Sequence, residues 1–293
     1  ATLNISGGEK TFEEFPHETR KSRREALEML IERLDSDVLC LQEVSQYIDA
    51  DGVTHTLMDN INKAGGYNYS FYGKTLSSET HMQIKKDVMV KGIFNDWWNW
   101  SKGNAIHSRT PFARLSSPAR PGVPRNIPLF QPVAYEGNRD TDPRFALISR
   151  LKEPPFPFVV TLHMATLVGE RGPDALQHKI EQAHMRRYQQ IRRFLDLVRV
   201  HILEPKEPLI LAGDFNAVED EFSIQYLLNA DFGFIRLEPD NEVSTHPALE
   251  KPVDHIFFSP RERLVDYNCW IDASDLSRRA SDHLPVVADI QIN

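Results

Sequence analysis

The chain has 293 residues, and its 41% hydrophobic content is enough for a substantial core, in one large domain or two small ones. Its 42 acidic residues outnumber the 34 basic ones, and the formal net charge of -8 argues against a protein that coats nucleic acid by bulk attraction. An acidic enzyme can still cut a polyanion when a local basic surface or bound cations face the substrate.

The first predicted element is an amphipathic helix from Thr19 to Asp35. Its apolar residues recur at helical spacing at Leu27, Leu30, Ile31 and Leu34. It leads directly into "DVLCLQEV", an apolar run of strand length. A longer helix, from Pro173 to Leu203, leads in the same way into "PLILAGDFNAV". Helices are therefore expected to cover the strands of a sheet.

Further strands are predicted at "YNYSFY" from Tyr67, "VMVKGIF" from Val88, "FALISRL" from Phe145, "FPFVVTLHM" from Phe156, "VDHIFFS" from Val253 and "LPVVADIQI" from Leu284. Few long helices among many strands favour a layered α/β sandwich, read here as one domain over residues 1–293. The proline-rich stretch from Leu115 to Pro143 lacks periodicity, so we expect a long loop there, either functional or disordered.

The cysteines and the start of the chain bear on the thiol state, the solubility and the compartment of the protein. Cys40 and Cys269 lie far apart in the chain, so two buried free thiols are expected rather than a disulfide. No apolar run reaches the length of a membrane span and no signal peptide precedes the first strand, so we expect a soluble protein. Because the chain begins at Ala1 without a methionine, we expect that upstream residues were removed or left out, and the compartment is left open.

Polar residues stand at the ends of the predicted strands, where ligands bind in layered sheets. They are Asn4, Glu43, His163, Asp214, Asn216, Asp282 and His283. Each has an ordinary explanation by itself, since a Glu after a strand is usually solvated, Asp-x-Asn often forms a turn or cap, and a single His is usually structural. Together they indicate a site.

Phosphoester hydrolysis is the chemistry that uses this set. The carboxylates of Glu43, Asp214 and Asp282 suit Mg²⁺ or Mn²⁺, which would polarise a phosphoryl oxygen and help to hold the leaving group. The amides of Asn4 and Asn216 can fix phosphate oxygens as charge builds in the transition state. Histidines can hold or move a proton near neutral pH.

These residues lie in motifs that resemble one family. "LNIS", "LQEV", "GNAIHSRTP", "TLHM", "GDFNAV", "VDHIFFS" and "SDHLPV" occur in the order found in the endonuclease/exonuclease/phosphatase superfamily. The resemblance runs from Asn4 to Val286 and implies the fold of pancreatic deoxyribonuclease, a four-layer α/β (α+β) sandwich of two central mixed sheets flanked by helices. "LQEV", "GDFN" and "SDH" in this order are specific together.

The resemblance also implies roles for individual residues. Glu43 would be the principal metal ligand, with Asn4 and Asp282 near the metal. Asp214 would orient or deprotonate the attacking water, with Asn216 beside the phosphate. The remaining roles fall to His283 at the scissile phosphate, Asp254 as its hydrogen-bonded carboxylate, and His163 as a phosphate ligand or general acid. Asn104 and Ser108 would be structural, and Ser6 replaces the acidic residue of several DNA-repair members.

The substrate is suggested by aromatic and basic residues. "FNDWWNW" contains Trp97, Trp98 and Trp100, whose rings could stack on bases, pack on a sugar, meet a lipid interface or simply pack on their own loop. Arginines in and beside the proline-rich stretch, and in "VGERGPD", are candidate phosphate contacts, namely Arg109, Arg144 and Arg171.

Three functions remain open from the sequence. A Mg²⁺-dependent nuclease or other DNA phosphodiesterase is favoured by the resemblance together with the aromatic and basic residues. A phosphatase or phosphodiesterase for a small molecule or lipid head group, such as an inositol phosphate or sphingomyelin, is the alternative. A binding protein that kept the fold and lost catalysis is least favoured, because no catalytic position is missing. The sequence does not indicate the oligomeric state, the preference for DNA or RNA, or the number of metals.

Overall fold

The computed structural model describes residues 1–8, 19–49, 51–78, 80, 99–241 and 243–293. The strand predicted at Val88 and the residues Trp97 and Trp98 lie outside this part of the chain. Fifteen strands are found in the described part, in the order β1 (Thr2–Asn4), β2 (Val38–Ile48), β3 (Thr54–Thr56), β4 (Tyr69–Ser77), β5 (Ser101–Ser108), β6 (Ala113–Arg114), β7 (Ser117–Pro121), β8 (Arg125–Phe130), β9 (Arg144–Arg150), β10 (Phe158–His163), β11 (Leu209–Asp214), β12 (Ile235–Arg236), β13 (Asp254–Ser259), β14 (Leu264–Ile271) and β15 (Val286–Ile292).

The strands form two large mixed sheets and one small hairpin. The first sheet has the order β14-β15-β1-β2-β5-β4, with β3 paired to β2, and the second has the order β12-β13-β11-β10-β9-β8. The helices of the described part are α1 (Arg20–Leu34), α2 (Met58–Gly65), α3 (Gln177–Val198), α4 (Phe222–Leu228) and α5 (Asp275–Ala280), and a π-helical turn at Arg199–Leu203 extends α3.

Three apolar clusters show how the layers stack. One cluster joins α1 and α2 to the outer face of the first sheet through residues such as Leu27, Leu30 and Leu41. Another joins α3 and α4 to the outer face of the second sheet. The third lies between the two sheets and includes both Cys40 and Cys269. The layers are therefore helix, sheet, sheet and helix, which confirms the predicted α/β sandwich, because each sheet buries both of its faces.

Local signals fix the ends of the first helix. The Thr19 side chain accepts a hydrogen bond from the Ser22 backbone, and the Ser22 side chain accepts one from the Thr19 backbone N–H. Asp35 ends the helix in a left-handed conformation. The predicted bounds of Thr19 and Asp35 are thus the two caps. Both cysteines are buried and free, as predicted. None of the helices in the described ranges combines the length and the apolar character that a bilayer crossing requires.

The prediction of a loop from Leu115 to Pro143 was wrong in its first half. β7 pairs with β6, and β8 adds to the edge of the second sheet beside β9. Prolines at 118, 121 and 128 lie in these short strands, which is compatible with pairing because edge strands leave one row of N–H groups unused. The prolines conceal the strand alternation in the sequence.

Candidate active site

One edge of the sandwich collects the predicted polar residues, because strand direction brings their ends together. β1 and β2 are parallel, as are β10 and β11, so Asn4, His163 and Asp214 lie at the carboxyl ends of their strands. Glu43 was predicted at a strand end but lies in the middle of β2, next to Gln42, the partner of Asn4. β13 and β15 run antiparallel to β11 and β1, so Asp254 begins its strand opposite Asp214, and His283 precedes β15. The two sheets therefore deliver their polar ends to the same edge.

The "GDFN" turn is built by the packing of β11. Gly213 has a positive φ of 153°, and a Cβ at this position would clash with the carbonyl oxygen of Leu162 on β10, so only glycine allows this approach. Phe215 is completely buried and packs edge to face on Phe257. Asn216 adopts a left-handed conformation, which asparagine tolerates. The turn is thus anchored between its two polar residues.

Asp214 lies at the centre of the site and is almost completely buried. Its Oδ2 accepts a hydrogen bond from Asn4 Nδ2 at 3.0 Å, and its Oδ1 accepts one from the Asn216 backbone at 2.9 Å. The same Oδ2 lies 3.4 Å from His163 Nε2 and 3.9 Å from His283 Nε2. These contacts fix the direction of both carboxylate oxygens.

A buried histidine and aspartate pair lies beside Asp214. His283 Nδ1 is 2.8 Å from Asp254 Oδ2, and both side chains are buried. Burial by itself would lower the pKa of His283, but the negative charges of Asp254 and Asp214 outweigh it and raise that pKa to about 10. His283 is therefore an imidazolium at neutral pH, with Nδ1 donating to Asp254 and Nε2 facing Asp214.

Glu43 occupies a bulge of β2 in which its φ is 59°. It pairs with Lys102 of β5, and its Oε1 lies 4.0 Å from His163 Nδ1. Burial would raise the pKa of Glu43, but the Lys102 ammonium holds it below its ordinary range, so the group is a carboxylate. A glutamate in the left-handed region is uncommon and accumulates at functional sites.

His163 lies between the two carboxylates in a different charge state from His283. Burial is the main reason that the pKa of His163 is lowered to about 3, and the nearby Arg144 guanidinium lowers it further. The carboxylates of Asp214 and Glu43 only partly oppose this. His163 is therefore neutral at pH 7, whereas His283 is charged.

The ends of β1 and β15 are tied together at the site. Ser281 Oγ donates to the carbonyl oxygen of Asn4 at 2.6 Å, and Ser6 Oγ donates to Asp282 Oδ2 at 3.2 Å. Asn4 Oδ1 accepts from the Ser6 backbone at 3.0 Å. Ser6, with a φ of 48°, therefore links Asn4 to Asp282.

Two places in the site could receive a divalent cation, the trio of Asp214, Asp254 and His283, and Glu43. Asp214, Asp254 and His283 place ligand atoms within 4.8 Å of one another. In this trio Asp254 is hydrogen-bonded to His283 Nδ1, and the two carboxylates raise the pKa of His283, so the trio as it stands holds a proton. Glu43 is the better candidate because it is ionised, 23% exposed and already neutralised by a cation, Lys102. The oxygen donors of Glu43, and those of Asp282, which accepts from Ser6 beyond the end of β1, fit Mg²⁺ or Mn²⁺.

The predicted arginines divide between the site and the rest of the molecule. Arg171 donates to the carbonyl oxygen of Asn216 at 2.8 Å, and Arg144 lines a pocket with Glu43 and His163. Arg109 instead donates to the Gly65 carbonyl and to Asp35 at the opposite end of β5, where it packs on Tyr67. These donors of Arg109 serve the fold, and its contact with substrate stays a prediction from the sequence.

Trp100 is half-buried at the start of β5. It lines a groove of about 860 Å³ together with residues of β2 and β3. Within this groove the rings of Tyr47 and His55 stack with their centroids 4.4 Å apart. The lining of the groove on β2 is Ser45 to Tyr47, on the same strand as Glu43, which itself lines the other pocket.

Sequence reasoning missed three features of the site. Lys102 pairs with Glu43, and its place before "GNAIHS" on a strand antiparallel to β2 would have been a usable signal. His246 packs edge to face on His283 with ring centroids 4.9 Å apart, and nothing in "STHPA" indicates it. Arg187 of α3 is a buried cation that bonds Glu221 and Glu170, next to Arg171. A helical arginine in the sequence reads as a solvated residue.

Comparisons with known proteins agree with this architecture. The model of the endonuclease/exonuclease/phosphatase family matches residues 1–283. Three solved structures resemble the chain, each over 99% of its length. The endonuclease/exonuclease/phosphatase from Beutenbergia cavernae DSM 12333 is 21% identical with a TM-score of 0.62, and 70% of it is covered. The human Nocturnin catalytic domain with bound sulfate is 17% identical with a TM-score of 0.61 and 92% covered. The mannosyl-6-phosphatase of Bacteroides thetaiotaomicron VPI-5482 is 15% identical with a TM-score of 0.56 and 98% covered.

At these identities the structural likeness establishes the fold. A search of curated proteins finds no match.

Proposed function

The chain belongs to the endonuclease/exonuclease/phosphatase family, and on that premise we propose that it is a divalent-metal-dependent hydrolase that cleaves phosphodiester bonds, with nucleic acid as its substrate. Members of this family are typically hydrolases that act on phosphate esters. The observation that carries the proposal is the placement of Asp214, which Asn4 and Asn216 orient, between a neutral His163 and a charged His283.

Asp214 is the group that orients and deprotonates the attacking water. Its two oxygens are fixed by hydrogen bonds, so the remaining acceptor direction is preorganised. Asn4 and Asn216 hold it without competing for the proton, because an amide is not a base at neutral pH. Loss of the carboxylate charge at this position removes the acceptor while the shape of the site remains.

His283 supports the developing negative charge on the phosphate. Its Nδ1 proton is bound by Asp254, so the Nε2 proton is the one offered to a phosphate oxygen or to the leaving oxygen. His163 is neutral and can donate or accept only one hydrogen bond from each nitrogen. His283 is therefore the better general acid, and His163 is a phosphate ligand.

The cation belongs to the Glu43 side of this arrangement. Glu43 would be its principal ligand, with Asp282 and Asn4 as further candidates. Mg²⁺ or Mn²⁺ would polarise a phosphoryl oxygen and stabilise the leaving group. Lys102 pairs with the Glu43 carboxylate and keeps it ionised.

Nucleic acid is proposed as the substrate because of the groove lined by β2, the strand that also carries Glu43. Stacked bases are recognised by aromatic faces, and Tyr47, His55 and Trp100 line this groove. Arg171 lies on the other side of the site, next to Asn216, and is a contact for the strand. Trp97 and Trp98 stay sequence predictions of substrate contact.

A phosphatase or phosphodiesterase for a small or lipid head-group ester is the second candidate. The net charge of -8 favours a substrate with fewer phosphates than a long strand carries. One structural neighbour is a mannosyl-6-phosphatase, although its 15% identity gives only the fold. Added salt separates the two candidates, since screening weakens strand binding steeply and binding of a small ester less.

The test is hydrolysis of a substrate panel by Asp214→Asn and wild-type protein loaded with Mg²⁺. The panel contains single-stranded and double-stranded DNA, RNA, an aryl phosphodiester and inositol phosphates. Cleavage of nucleic acid by the wild type that Asp214→Asn lacks is the expected result. Asp220→Asn is the matched control, because Asp220 is exposed and pairs with Lys251 outside the site. Cleavage of the small esters alone would replace nucleic acid by the second candidate, and equal activity in Asp214→Asn would refute the assignment.

A further inference from the structure

A small pocket opens beside Glu43 and His163 on the side away from the histidine and aspartate pair. Its volume is about 170 Å³, and it is lined by charged residues of β5, of β9 and of the segment before β9, among them Lys102, Arg139, Asp142 and Arg144. Asp214, Asp254 and His283 do not contribute to its lining. The pocket shares Glu43 and His163 with the site, whereas Arg139, Asp142 and Arg144 extend its lining beyond them, so a group held by these residues would lie next to the phosphate that faces His283.

Arg144 is the residue that makes this pocket unusual. It is the first residue of β9 and only 6% exposed. Across the residues that the structure describes, its Nε has no hydrogen-bond partner. The nearest carboxylate is that of Asp142, 3.7 Å from the guanidinium, which is too long for a hydrogen bond.

A buried guanidinium with an unused donor is unfavourable in the free protein. Buried polar groups are nearly always hydrogen-bonded, and leaving a charged donor unsatisfied costs more than leaving a neutral one. The carboxylate nearest to Arg144 is that of Asp142, and it is too far away to accept a hydrogen bond. The Nε atom is itself sealed from solvent, but Arg144 contributes to the lining of the pocket, so its positive charge is available to an anion there.

Phosphate is the ligand whose chemistry this lining matches. A guanidinium binds phosphate oxygens through paired donors, and a lysine adds a point charge. Lys102, Arg139 and Arg144 carry three positive charges against the two carboxylates of Glu43 and Asp142. Glu43 is already paired with Lys102, so the balance around Arg144 favours an anion.

We propose that the Arg144 pocket binds a second phosphate group of the substrate, next to the one that is hydrolysed. This proposal rests on the proposed phosphoester hydrolysis at Asp214, since it defines which phosphate is the first. The second phosphate is either the neighbouring phosphate of a nucleic acid strand or a further phosphate of a bisphosphorylated small molecule. A substrate with one phosphate leaves the Arg144 pocket unused.

Binding of inorganic phosphate to metal-free Asp214→Asn protein tests the pocket without any turnover. Titration calorimetry is expected to show binding, weakened about tenfold or more by Arg144→Gln, in line with the loss of a charged hydrogen bond. Arg144→Lys keeps the positive charge but loses the paired guanidinium donors. Its affinity for phosphate is therefore expected to lie between those of the parent protein and Arg144→Gln. Arg125→Gln, on exposed β8, is the matched surface control and leaves binding unchanged. Absence of binding, or binding that is equal in wild type and both Arg144 variants, would overturn the proposal.

Competition experiments then identify the source of the second phosphate. Glucose 1,6-bisphosphate and a dinucleotide with a terminal phosphate are each tested for displacement of the bound phosphate. The displacement by each is compared with that by its counterpart with one phosphate fewer. Preference for either two-phosphate ligand, lost in Arg144→Gln, supports the proposal and names the source. Equal competition by every pair overturns it. The result does not depend on hydrolysis, so an inactive protein that passes this test refutes only the proposed function.

Discussion

Replacement of Asp254 by asparagine should remove the negative charge that keeps His283 protonated. The change keeps the side-chain shape and can keep the hydrogen bond to Nδ1, which spans 2.8 Å in the native protein. It removes the nearest negative charge that raises the pKa of His283 from an ordinary 6.5 to about 10. Since burial opposes protonation, we expect the pKa of His283 in Asp254→Asn to fall to its ordinary value or below.

The size of the effect follows from the burial of both groups. Each pKa unit corresponds to about 1.4 kcal/mol of preference for the charged form, so the raised pKa represents several kcal/mol shared between Asp254 and Asp214. Loss of the general acid at neutral pH should reduce kcat by about 10²- to 10⁴-fold with little change in KM. The pH profile of kcat should lose its alkaline limb near pH 10.

The assay is a proton NMR titration of the His283 ring, assigned by comparison with His283→Gln, alongside kinetics. The linked stability change gives a second readout. A folded-state pKa above the unfolded value stabilises the protein fully below pH 6.5, and this contribution is lost as the pH rises through about 10. Urea unfolding should therefore show a weaker loss of stability between pH 7 and pH 10 in Asp254→Asn than in wild type. An unchanged His283 pKa in the variant would refute the reasoning.

The remaining predictions concern buried charges and acid stability. Arg187→Met should lower the free energy of unfolding by about 3 to 5 kcal/mol, because Glu170 and Glu221 lose their shared partner while buried. Urea denaturation measures this loss, with Arg193→Met on the exposed face of α3 as the control. A loss below about 1 kcal/mol in Arg187→Met would contradict the prediction. His107 is buried with its pKa lowered to about 3, so the stability present above pH 6.5 should fall as the pH drops toward that value. His107→Asn should flatten the acid limb between pH 6.5 and pH 4, and an identical limb in wild type and variant would show that His107 is not responsible.

The layered fold was predictable because helix and strand periodicities are strong in this chain. The amphipathic helix from Thr19 to Asp35 has both its apolar stripe and its caps in the sequence. β8 was hidden because Pro128 interrupts its alternation and the strand lies at an edge, where pairing can tolerate proline. Local patterns report local geometry, and edge strands depend on the sheet that receives them.

Apart from Glu43, the polar residues of the site were predictable as strand ends, but their charge states were not. His163 and His283 look alike in sequence, yet burial with Arg144 makes one neutral and Asp254 makes the other charged. Arg109 follows a motif and was assigned to substrate, and the sequence did not show its bonds to Asp35 and Gly65. Lys102 was missed because its contact with Glu43 exists only through pairing of β5 with β2. Such properties arise from neighbours that are distant in sequence.

The most direct test of the central claim is the metal dependence of hydrolysis at Glu43. Chelator-stripped protein should be inactive on its best substrate, and Mg²⁺ or Mn²⁺ should restore activity with a defined half-saturating concentration. Glu43→Gln should raise that concentration by about tenfold or more, a factor known even for groups that only support a ligand. Glu136→Gln, an exposed control, should leave it unchanged. Full activity of the stripped protein, or equal metal requirements in Glu43→Gln and wild type, would contradict a metal-dependent phosphoesterase centred on Glu43.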